Sequence, residues 1–211
     1  MKKAQPAGCF STNLPADITQ RIVEEIEMKS PLMKQGTTDG KRLNTKVRNC
    51  KLSALKSAEW FGGFLWHYIS RMNRENFLYD ITCIENESIS YIVYNTGDYY
   101  TWHVDQDIVT SLSPDGIPTM YSNFAQEIAE LQGEYVRKLS FSFQLSSPDE
   151  YTGGNLQVIR PGFQTKPEMV TVPNELGLMT VFDSRLSHRV TKVKSGTRKV
   201  LVGWVMGPRW K

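Results

Sequence analysis

The sequence predicts an α+β fold in which helices support a double-stranded β-helix, the closed antiparallel jelly roll of the cupin kind. From about residue 87 onward, eight short segments rich in β-branched and aromatic residues follow one another, and no helical pattern alternates with them. Before that point, apolar residues recur at helical spacing. We therefore expect one domain over residues 1–211, with helical N-terminal support over 1–86 and a jelly-roll core over 87–208.

Two helices are predicted in the N-terminal part. The first spans Ala16 to Lys29, where isoleucines recur every four residues with acidic residues between them: Ile18, Ile22 and Ile26. The polar segment SPLMKQGTTDGKRLN then predicts a loop. The second helix is predicted from a similar row of large apolar residues: Trp60, Phe64, Tyr68 and Met72.

The eight candidate strands each show the period of two that is typical of a half-buried strand, and Gly, Pro, Asn or Asp residues bound them. They are SISYIVYNT, YYTWHVDQ, KLSFSFQLS, GGNLQVIR, EMVTVP, GLMTVFDS, HRVTKV and RKVLVGWVMG. One long insertion, Ile108 to Arg137, interrupts the series and ends in the helix-like FAQEIAELQGEYVRK. Long insertions in compact domains often cover binding sites, so we expect a mobile cover here, with a passive surface excursion as the alternative.

Composition restricts the partners that the chain can have. The 25 basic and 22 acidic residues are mixed along the chain and leave a net charge of only +3, so no polyanion-binding tail is evident. Three widely spaced cysteines, Cys9, Cys50 and Cys83, argue against a disulfide framework or a thiolate zinc site. No apolar run is long enough to span a membrane. We expect a cytoplasmic protein with no membrane or nucleic-acid partner, and its oligomeric state stays open.

The segment YNTGDYYTWHVDQD contains a histidine and an aspartate two positions apart, His103 and Asp105. Side chains at i and i+2 of a strand point to the same face, so these two donors are expected to converge in the mouth of the barrel. His188, which opens the seventh candidate strand, could join them. Two imidazoles and one carboxylate form the facial triad that is typical of non-haem Fe(II) sites.

Each of these residues also has an ordinary structural interpretation. An H-x-D pair is common by chance, and a strand histidine is often just a hydrogen-bonded structural residue. His67, on the second predicted helix, has no acidic partner at useful spacing and is interpreted as structural. Arg198 strengthens the metal-site hypothesis, because an arginine close to such a triad is suited to bind a carboxylate. On its own, Arg198 would be interpreted as a solvated charge at a strand end.

Taken together, these segments resemble the Fe(II)/2-oxoglutarate-dependent dioxygenases, specifically the prolyl 4-hydroxylase-like group and its PKHD-type branch. The resemblance rests on Y-x-x-G-x-x-Y-x-x-H-x-D, LSFSFQLSSPDEYTGGNLQV and SRLSHRVTKVKSGTRKVLVGW, in this order, and covers roughly residues 87 to 208. It implies Fe(II) as cofactor and 2-oxoglutarate and O₂ as co-substrates, and it leaves ascorbate open as a further ligand.

The resemblance also assigns roles to particular residues. It implies that His103, Asp105 and His188 bind iron and that Arg198 pairs with the distal carboxylate of 2-oxoglutarate. Tyr94 and Trp204 match aromatic positions that line the co-substrate pocket in relatives, and core packing is the alternative for both. Gln144 stands where some relatives place a tyrosine hydroxyl near the same carboxylate. In YTGGNLQV, Asn155 replaces the family's usual acid, and the glycines are expected to serve backbone conformation.

The substrate is not fixed by the resemblance. A prolyl residue of a peptide or protein is the first expectation, and a free amino acid, a small metabolite or an alkylated nucleobase are alternatives. Nucleic-acid demethylating relatives carry a second arginine six residues after the first, and Trp204 stands at that position here, which counts against the nucleobase. Asp105 leaves no room for a halide ligand, which disfavours halogenation. A jelly-roll binding module without catalysis is the remaining alternative.

Overall fold

Two antiparallel sheets pack against each other in the computed structural model, which describes residues 8–37, 44–106, 135–162 and 166–210. The larger sheet has nine strands and the smaller sheet has five. Their facing sides meet in two apolar clusters, one of which joins Tyr94 and Val200 to Val190.

The strands, in chain order, are β1 (Cys9–Asn13), β2 (Lys34–Gln35), β3 (Arg48–Asn49), β4 (Lys51–Lys56), β5 (Cys83–Ile84), β6 (Ser88–Asn95), β7 (Tyr99–His103), β8 (Tyr135–Gln144), β9 (Tyr151–Gly153), β10 (Leu156–Arg160), β11 (Glu168–Thr171), β12 (Leu178–Asp183), β13 (His188–Val190) and β14 (Val193–Pro208). In the larger sheet their order is β1-β12-β8-β14-β6-β4-β2, and β5 and β9 both pair with β14. In the smaller sheet the order is β11-β10-β13-β7-β3. All eight predicted strand segments contain a strand. The predicted α+β class and the antiparallel pairing of the jelly-roll strands are thereby confirmed.

The two predicted helices form with the predicted bounds, α1 (Ala16–Lys29) and α2 (Trp60–Met72). In α1, Ile22 and Ile26 are buried as expected. In α2 only Met72 of the predicted apolar row is buried, because Trp60 remains 45% exposed and Phe64 and Tyr68 are half-buried. The buried positions are Phe61, Gly62, Leu65, Ile69 and Met72. Both helices pack on the outer side of the nine-stranded sheet, against Phe141, Phe143 and Leu201.

The N-terminal segment supplies strands as well as helices. β1 pairs with β12, β4 pairs with β6, and β3 pairs with β7 of the smaller sheet. These strands lie at or near the sheet edges and are only two to six residues long. Strands this short are stabilised by the neighbour that they pair with, so the local sequence carries little signal for them.

Most of the predicted insertion lies outside the described residues, which resume at residue 135. The predicted boundary at Arg137 is too late, because Tyr135, Val136 and Arg137 already belong to β8. They pair with the C-terminal end of β14, from Met206 to Pro208. Long-range pairing with β14 therefore overrides the helix-like pattern at the end of this segment.

Alternation along β8 divides the molecule into two chemical environments. Leu139, Phe141 and Phe143 point to the helices and are fully buried. Ser142 and Gln144 point to the smaller sheet and line a small cavity there with Thr180 and Arg198. This part of the inner side of the larger sheet is thus polar although it is buried, which is unusual for a sheet interior and indicates a binding site.

Candidate metal centre and co-substrate pocket

Three side chains with metal-binding atoms meet at one end of the smaller sheet. His103 ends β7 and His188 begins β13, and the two residues are direct partners across these strands. Asp105 lies between them, with its Oδ2 3.4 Å from Nε2 of His188 and its Oδ1 3.8 Å from Nε2 of His103. The ligand atoms of the three residues all lie within 4.8 Å of one another. This spacing could hold one metal ion.

Strand alternation was expected to bring Asp105 to the same face as His103. Asp105 reaches this position in another way. β7 ends at His103, and the chain then bends. The main-chain N–H groups of Asp105 and Gln106 both donate to the carbonyl oxygen of Ser184, at 3.0 and 2.9 Å. The loop between β12 and β13 therefore positions the aspartate.

Both imidazoles are oriented by the main chain. Nδ1 of His103 lies 2.8 Å from the carbonyl oxygen of Thr101, and Nδ1 of His188 lies 2.9 Å from that of Leu186. A carbonyl oxygen only accepts, so each Nδ1 carries the proton and donates it. The unprotonated Nε2 atoms then face Asp105, in the tautomer that binds a metal ion.

The charge states also suit metal binding. Burial, reinforced by the neighbouring His188, lowers the pKa of His103 to about 4, so the ring is neutral near pH 7. Burial alone would raise the pKa of Asp105. The nearby His188, His103 and Arg137, together with a hydrogen bond from Ser140, outweigh burial and lower that pKa to about 2. A neutral imidazole at His103 and an ionised carboxylate at Asp105 result.

A second group of residues holds Asp105, and none of them was predicted from the sequence as a site residue. Ser140 Oγ donates to Asp105 Oδ2 at 2.6 Å, and Arg137 Nη1 donates to the Asp105 carbonyl oxygen at 3.1 Å. Arg137 in turn makes a bidentate pair with Glu85, in which both N–O distances are 2.8 Å. This planar pairing fixes the guanidinium.

Trp204 lies on this side of the site. Its ring packs under Arg137, whose Cζ is 4.1 Å from the ring centroid. Its buried Nε1 has no hydrogen-bond partner among the described residues. Trp204 thus contacts the group that holds Asp105, and its expected place in the co-substrate pocket stays a prediction.

Arg198 is only 3% exposed and lies on the inner side of β14. Its Nε donates to Gln144 Oε1 at 3.2 Å. Its Cζ lies 5.5 Å from the ring centroid of Tyr94, the residue of β6 that pairs with Arg198. No carboxylate among the described residues forms an ion pair with it. Since an unpaired buried charge is costly, this guanidinium is suited to receive an anion.

Two further residues complete the neighbourhood and were missed from the sequence. Tyr151, at the start of β9, accepts a hydrogen bond from Gln144 Nε2 at 2.8 Å.

Arg48, on β3, has its Cζ 4.8 Å from the ring centroid of Tyr100. The Tyr100 ring stacks on the His103 ring, with 3.6 Å between their centroids. A register shift between β7 and β13 puts Tyr100 on the same side as His103. Such contacts between distant segments leave no local motif.

The glycines of YTGGNLQV serve backbone conformation, as predicted. Gly153 and Gly154 have φ values of +73° and +60°. A Cβ at Gly154 would lie 2.9 Å from Val193 Cγ2 and 3.3 Å from Arg198 Cδ, so a side chain here would crowd the arginine. Asn155 accepts a hydrogen bond from Asn174 at 2.8 Å. His67 lies exposed on α2.

Comparison with protein families agrees with this geometry. The family model described as the 2OG-Fe(II) oxygenase superfamily matches residues 89–206. A PKHD-type hydroxylase of Hyphomonas neptunium is 46% identical over 67 residues, which are 32% of this chain and 28% of that protein. A PKHD-type hydroxylase of a Synechococcus species is 33% identical over 111 residues, 53% of this chain and 38% of that protein. The chain thus matches well under half the length of these curated relatives.

Solved structures show the same fold at low sequence identity. A prolyl-4-hydroxylase from Pseudomonas putida aligns with a TM-score of 0.65 and 15% identity over 97% of this chain and 94% of its own. A prolyl hydroxylase from Trichoplax adhaerens, solved with a peptide fragment of hypoxia inducible factor, aligns with a TM-score of 0.67 and 16% identity over 95% and 84%. The carbocyclase SnoK of nogalamycin biosynthesis also aligns, with a TM-score of 0.62 and 13% identity over 95% and 80%. One fold therefore serves several reactions.

Proposed function

Because this chain belongs to the 2OG-Fe(II) oxygenase superfamily, we propose that it is an Fe(II)- and 2-oxoglutarate-dependent dioxygenase that hydroxylates an unactivated C–H bond. A single observation carries the proposal. A His-Asp-His cluster with converging ligand atoms lies between the same two sheets as a buried arginine that pairs with no carboxylate of the described residues. The first suits Fe(II), and the second suits the carboxylate of a dicarboxylic 2-oxoacid.

In this proposal His103, Asp105 and His188 would hold the iron. Arg198 binds the distal carboxylate of 2-oxoglutarate, with Gln144 and Tyr94 beside it. When bound, the iron and 2-oxoglutarate supply the oxidising chemistry. The protein orients the ligands, keeps the His103 imidazole neutral and supplies the cation that pairs with the co-substrate.

The proposed substrate is a prolyl residue of a peptide or protein. The support comes from the names of the similar proteins, two of which are prolyl hydroxylases, one of them bound to a peptide. The alignment with a carbocyclase means that fold likeness alone does not select the substrate. The substrate therefore needs its own experiment.

That experiment measures succinate formed from 2-oxoglutarate by the Fe(II)-loaded protein, with and without proline-containing peptides. Mass spectrometry then searches the stimulating peptides for a gain of one oxygen. We expect peptide-dependent succinate formation together with an oxidised proline, and His188→Ala should abolish both. Stimulation by peptides in which proline is replaced by alanine would contradict the prolyl substrate. Failure to bind Fe(II) at all would favour a binding module without catalysis.

A further inference from the structure

The phenol of Tyr151 lies within hydrogen-bond reach of Arg198, and no sequence motif assigns Tyr151 a role. We infer that Tyr151 is a direct ligand for the distal carboxylate of the dicarboxylic 2-oxoacid, donating its O–H to one carboxylate oxygen while Arg198 binds the carboxylate from the side. Gln144 positions both groups. This inference rests on the proposed function and deepens it, because it names a residue that selects the co-substrate.

The first step is the orientation of the Gln144 amide, which its neighbours fix. Arg198 Nε can only donate, so the atom that it meets at 3.2 Å must be the amide oxygen. The amide nitrogen then lies 3.3 Å from the carbonyl oxygen of Ser146, which can only accept. Both contacts agree on one orientation. Gln144 Nε2 therefore donates to the Tyr151 oxygen, at 2.8 Å.

The second step concerns the phenol proton. Since the Tyr151 oxygen accepts from Gln144, its own O–H is directed away from Gln144 and needs an acceptor. No hydrogen bond among the described residues provides an acceptor for this O–H. Burial raises the pKa of Tyr151, and the charge and hydrogen bond of Arg198 and the hydrogen bond of Gln144 oppose this without reversing it. The phenol thus stays protonated near pH 7 and can donate.

The third step is that the backbone brings Tyr151 to this place. β9 pairs with β14, and Tyr151 is the direct partner of Gly196, two residues before Arg198. A Cβ at Gly196 would lie 2.0 Å from the carbonyl oxygen of Glu150 and 2.9 Å from Cα of Tyr151. Only glycine permits so close an approach. Tyr151 itself is only 3% exposed, so its hydroxyl group lies in the protein interior.

A donor pair of this kind predicts selectivity. A carboxylate placed against Arg198 would receive one hydrogen bond from a cation and one from a neutral phenol, which together compensate the loss of its water shell. A 2-oxoacid that lacks the distal carboxylate would leave both donors without an acceptor. The pair should therefore favour 2-oxoglutarate over a monocarboxylic 2-oxoacid, because unpaired buried donors are costly.

The test compares two ligands on the full-length protein under anaerobic conditions with Fe(II). 2-Oxoglutarate and 2-oxobutyrate share the chelating 2-oxoacid end, and only the first has a distal carboxylate. Each is titrated while the charge-transfer absorption of the Fe(II) chelate is recorded, so affinity is measured without turnover. The variants are Tyr151→Phe and Arg198→Ala. Tyr99→Phe is the matched control, since its phenol donates to the carbonyl oxygen of Thr45 on the surface, at 3.0 Å.

We expect Tyr151→Phe to weaken 2-oxoglutarate binding about tenfold or more, the typical effect of losing a hydrogen bond to a charged group, while 2-oxobutyrate binding stays the same. Tyr99→Phe should change neither affinity. An unchanged 2-oxoglutarate affinity in Tyr151→Phe, or an equal loss for both ligands, would overturn the direct contact. If Arg198→Ala also kept the wild-type preference for 2-oxoglutarate, the proposed co-substrate site itself would be wrong. The two failures are thus distinguishable.

Discussion

Single side chains in the candidate site owe their chemistry to main-chain contacts. The carbonyl oxygens of Thr101 and Leu186 fix the tautomers of His103 and His188. The carbonyl oxygen of Ser184 positions Asp105 through two N–H groups. The main chain fixes these groups before any ion binds. Metal binding therefore needs little further loss of side-chain conformational entropy.

Removal of either imidazole should therefore abolish metal binding without unfolding the protein. We expect His103→Ala and His188→Ala to lose Fe(II) binding and succinate formation, because two remaining donors hold the ion weakly. Metal binding is measured by calorimetry and folding by circular dichroism. His67→Ala is the control, since His67 lies exposed on α2. Normal metal affinity in His188→Ala would remove that residue from the site.

The metal-free protein should lose stability in acid because of His103. The pKa of this ring is lowered to about 4 in the fold from an ordinary value of 6.5, so the unfolded chain takes up the proton first as the pH falls. The free energy of unfolding should therefore drop between about pH 6.5 and pH 4, by up to about 3 kcal/mol. Below that window, protonation of Asp105, whose folded pKa is about 2, should destabilise the protein further.

Urea titrations of chelator-treated protein across this range measure the effect. His103→Asn places a group that does not titrate in the same position, so its stability should depend less on pH between 6.5 and 4. The free energy of unfolding of the wild type minus that of the variant should therefore be lowest near pH 4 and rise toward pH 7. Parallel pH profiles for the two proteins would contradict the assignment of this slope to His103.

At the scale of elements, one irregularity in β8 links the metal centre to the rest of the sheet. The register with β14 shifts between Val205 and Met206, so Arg137 pairs with Met206 while Leu139 pairs with Val205. Lys138 is the extra residue of this bulge. A bulge changes the direction in which the neighbouring side chains point, and here Arg137 reaches both Glu85 and the Asp105 carbonyl.

Arg137→Met should weaken the metal site and the fold together. The change leaves the Glu85 carboxylate buried, with 4% of its side chain exposed, and removes a donor from Asp105. We expect a loss of up to about 3 kcal/mol in the free energy of unfolding, at the low end for a broken buried pair because 26% of the Arg137 side chain is exposed. Fe(II) affinity should fall as well. Denaturant titration and calorimetry check the two effects.

The matched control is Arg71→Met, which breaks an exposed pair with Glu75 on the helical side of the molecule. It should cost no more than about 0.5 kcal/mol and leave metal binding unchanged. A second variant, Glu85→Gln, keeps the shape of the partner and removes its charge. If metal affinity in Arg137→Met equalled that of the wild type, the arginine would serve stability alone.

At the scale of the whole molecule, the larger sheet separates a structural side from a chemical side. Its outer side carries the helices and the largest apolar cluster, and its inner side carries Arg198 and Gln144. No helix in the described part of the chain is long and apolar enough to cross a membrane.

This division explains what the sequence could predict. Alternating strands and two helices follow from local periodicity, so their positions were predicted well. The four polar residues with a motif, His103, Asp105, His188 and Arg198, also carry a local signal, and the fold brings the first three together. Arg137 and Glu85 are 52 positions apart, and only the completed sheet makes them neighbours. Tyr151 and Ser140 were missed for the same reason.

The helix face is where local periodicity failed, and neighbouring residues of α2 allow that to be tested. Phe61 is 1% exposed and Trp60 is 45% exposed, although Trp60 belongs to the row of apolar residues from which the helix was predicted. Phe61→Ala should cost about 3 to 5 kcal/mol, as expected for a truncated core aromatic, and Trp60→Ala about 1 kcal/mol or less. Because both residues lie on the outer side of the sheet, Fe(II) affinity of the folded protein should be unchanged in each. Denaturant titrations and calorimetry measure these effects, and an equal cost for the two changes would contradict the observed orientation of α2.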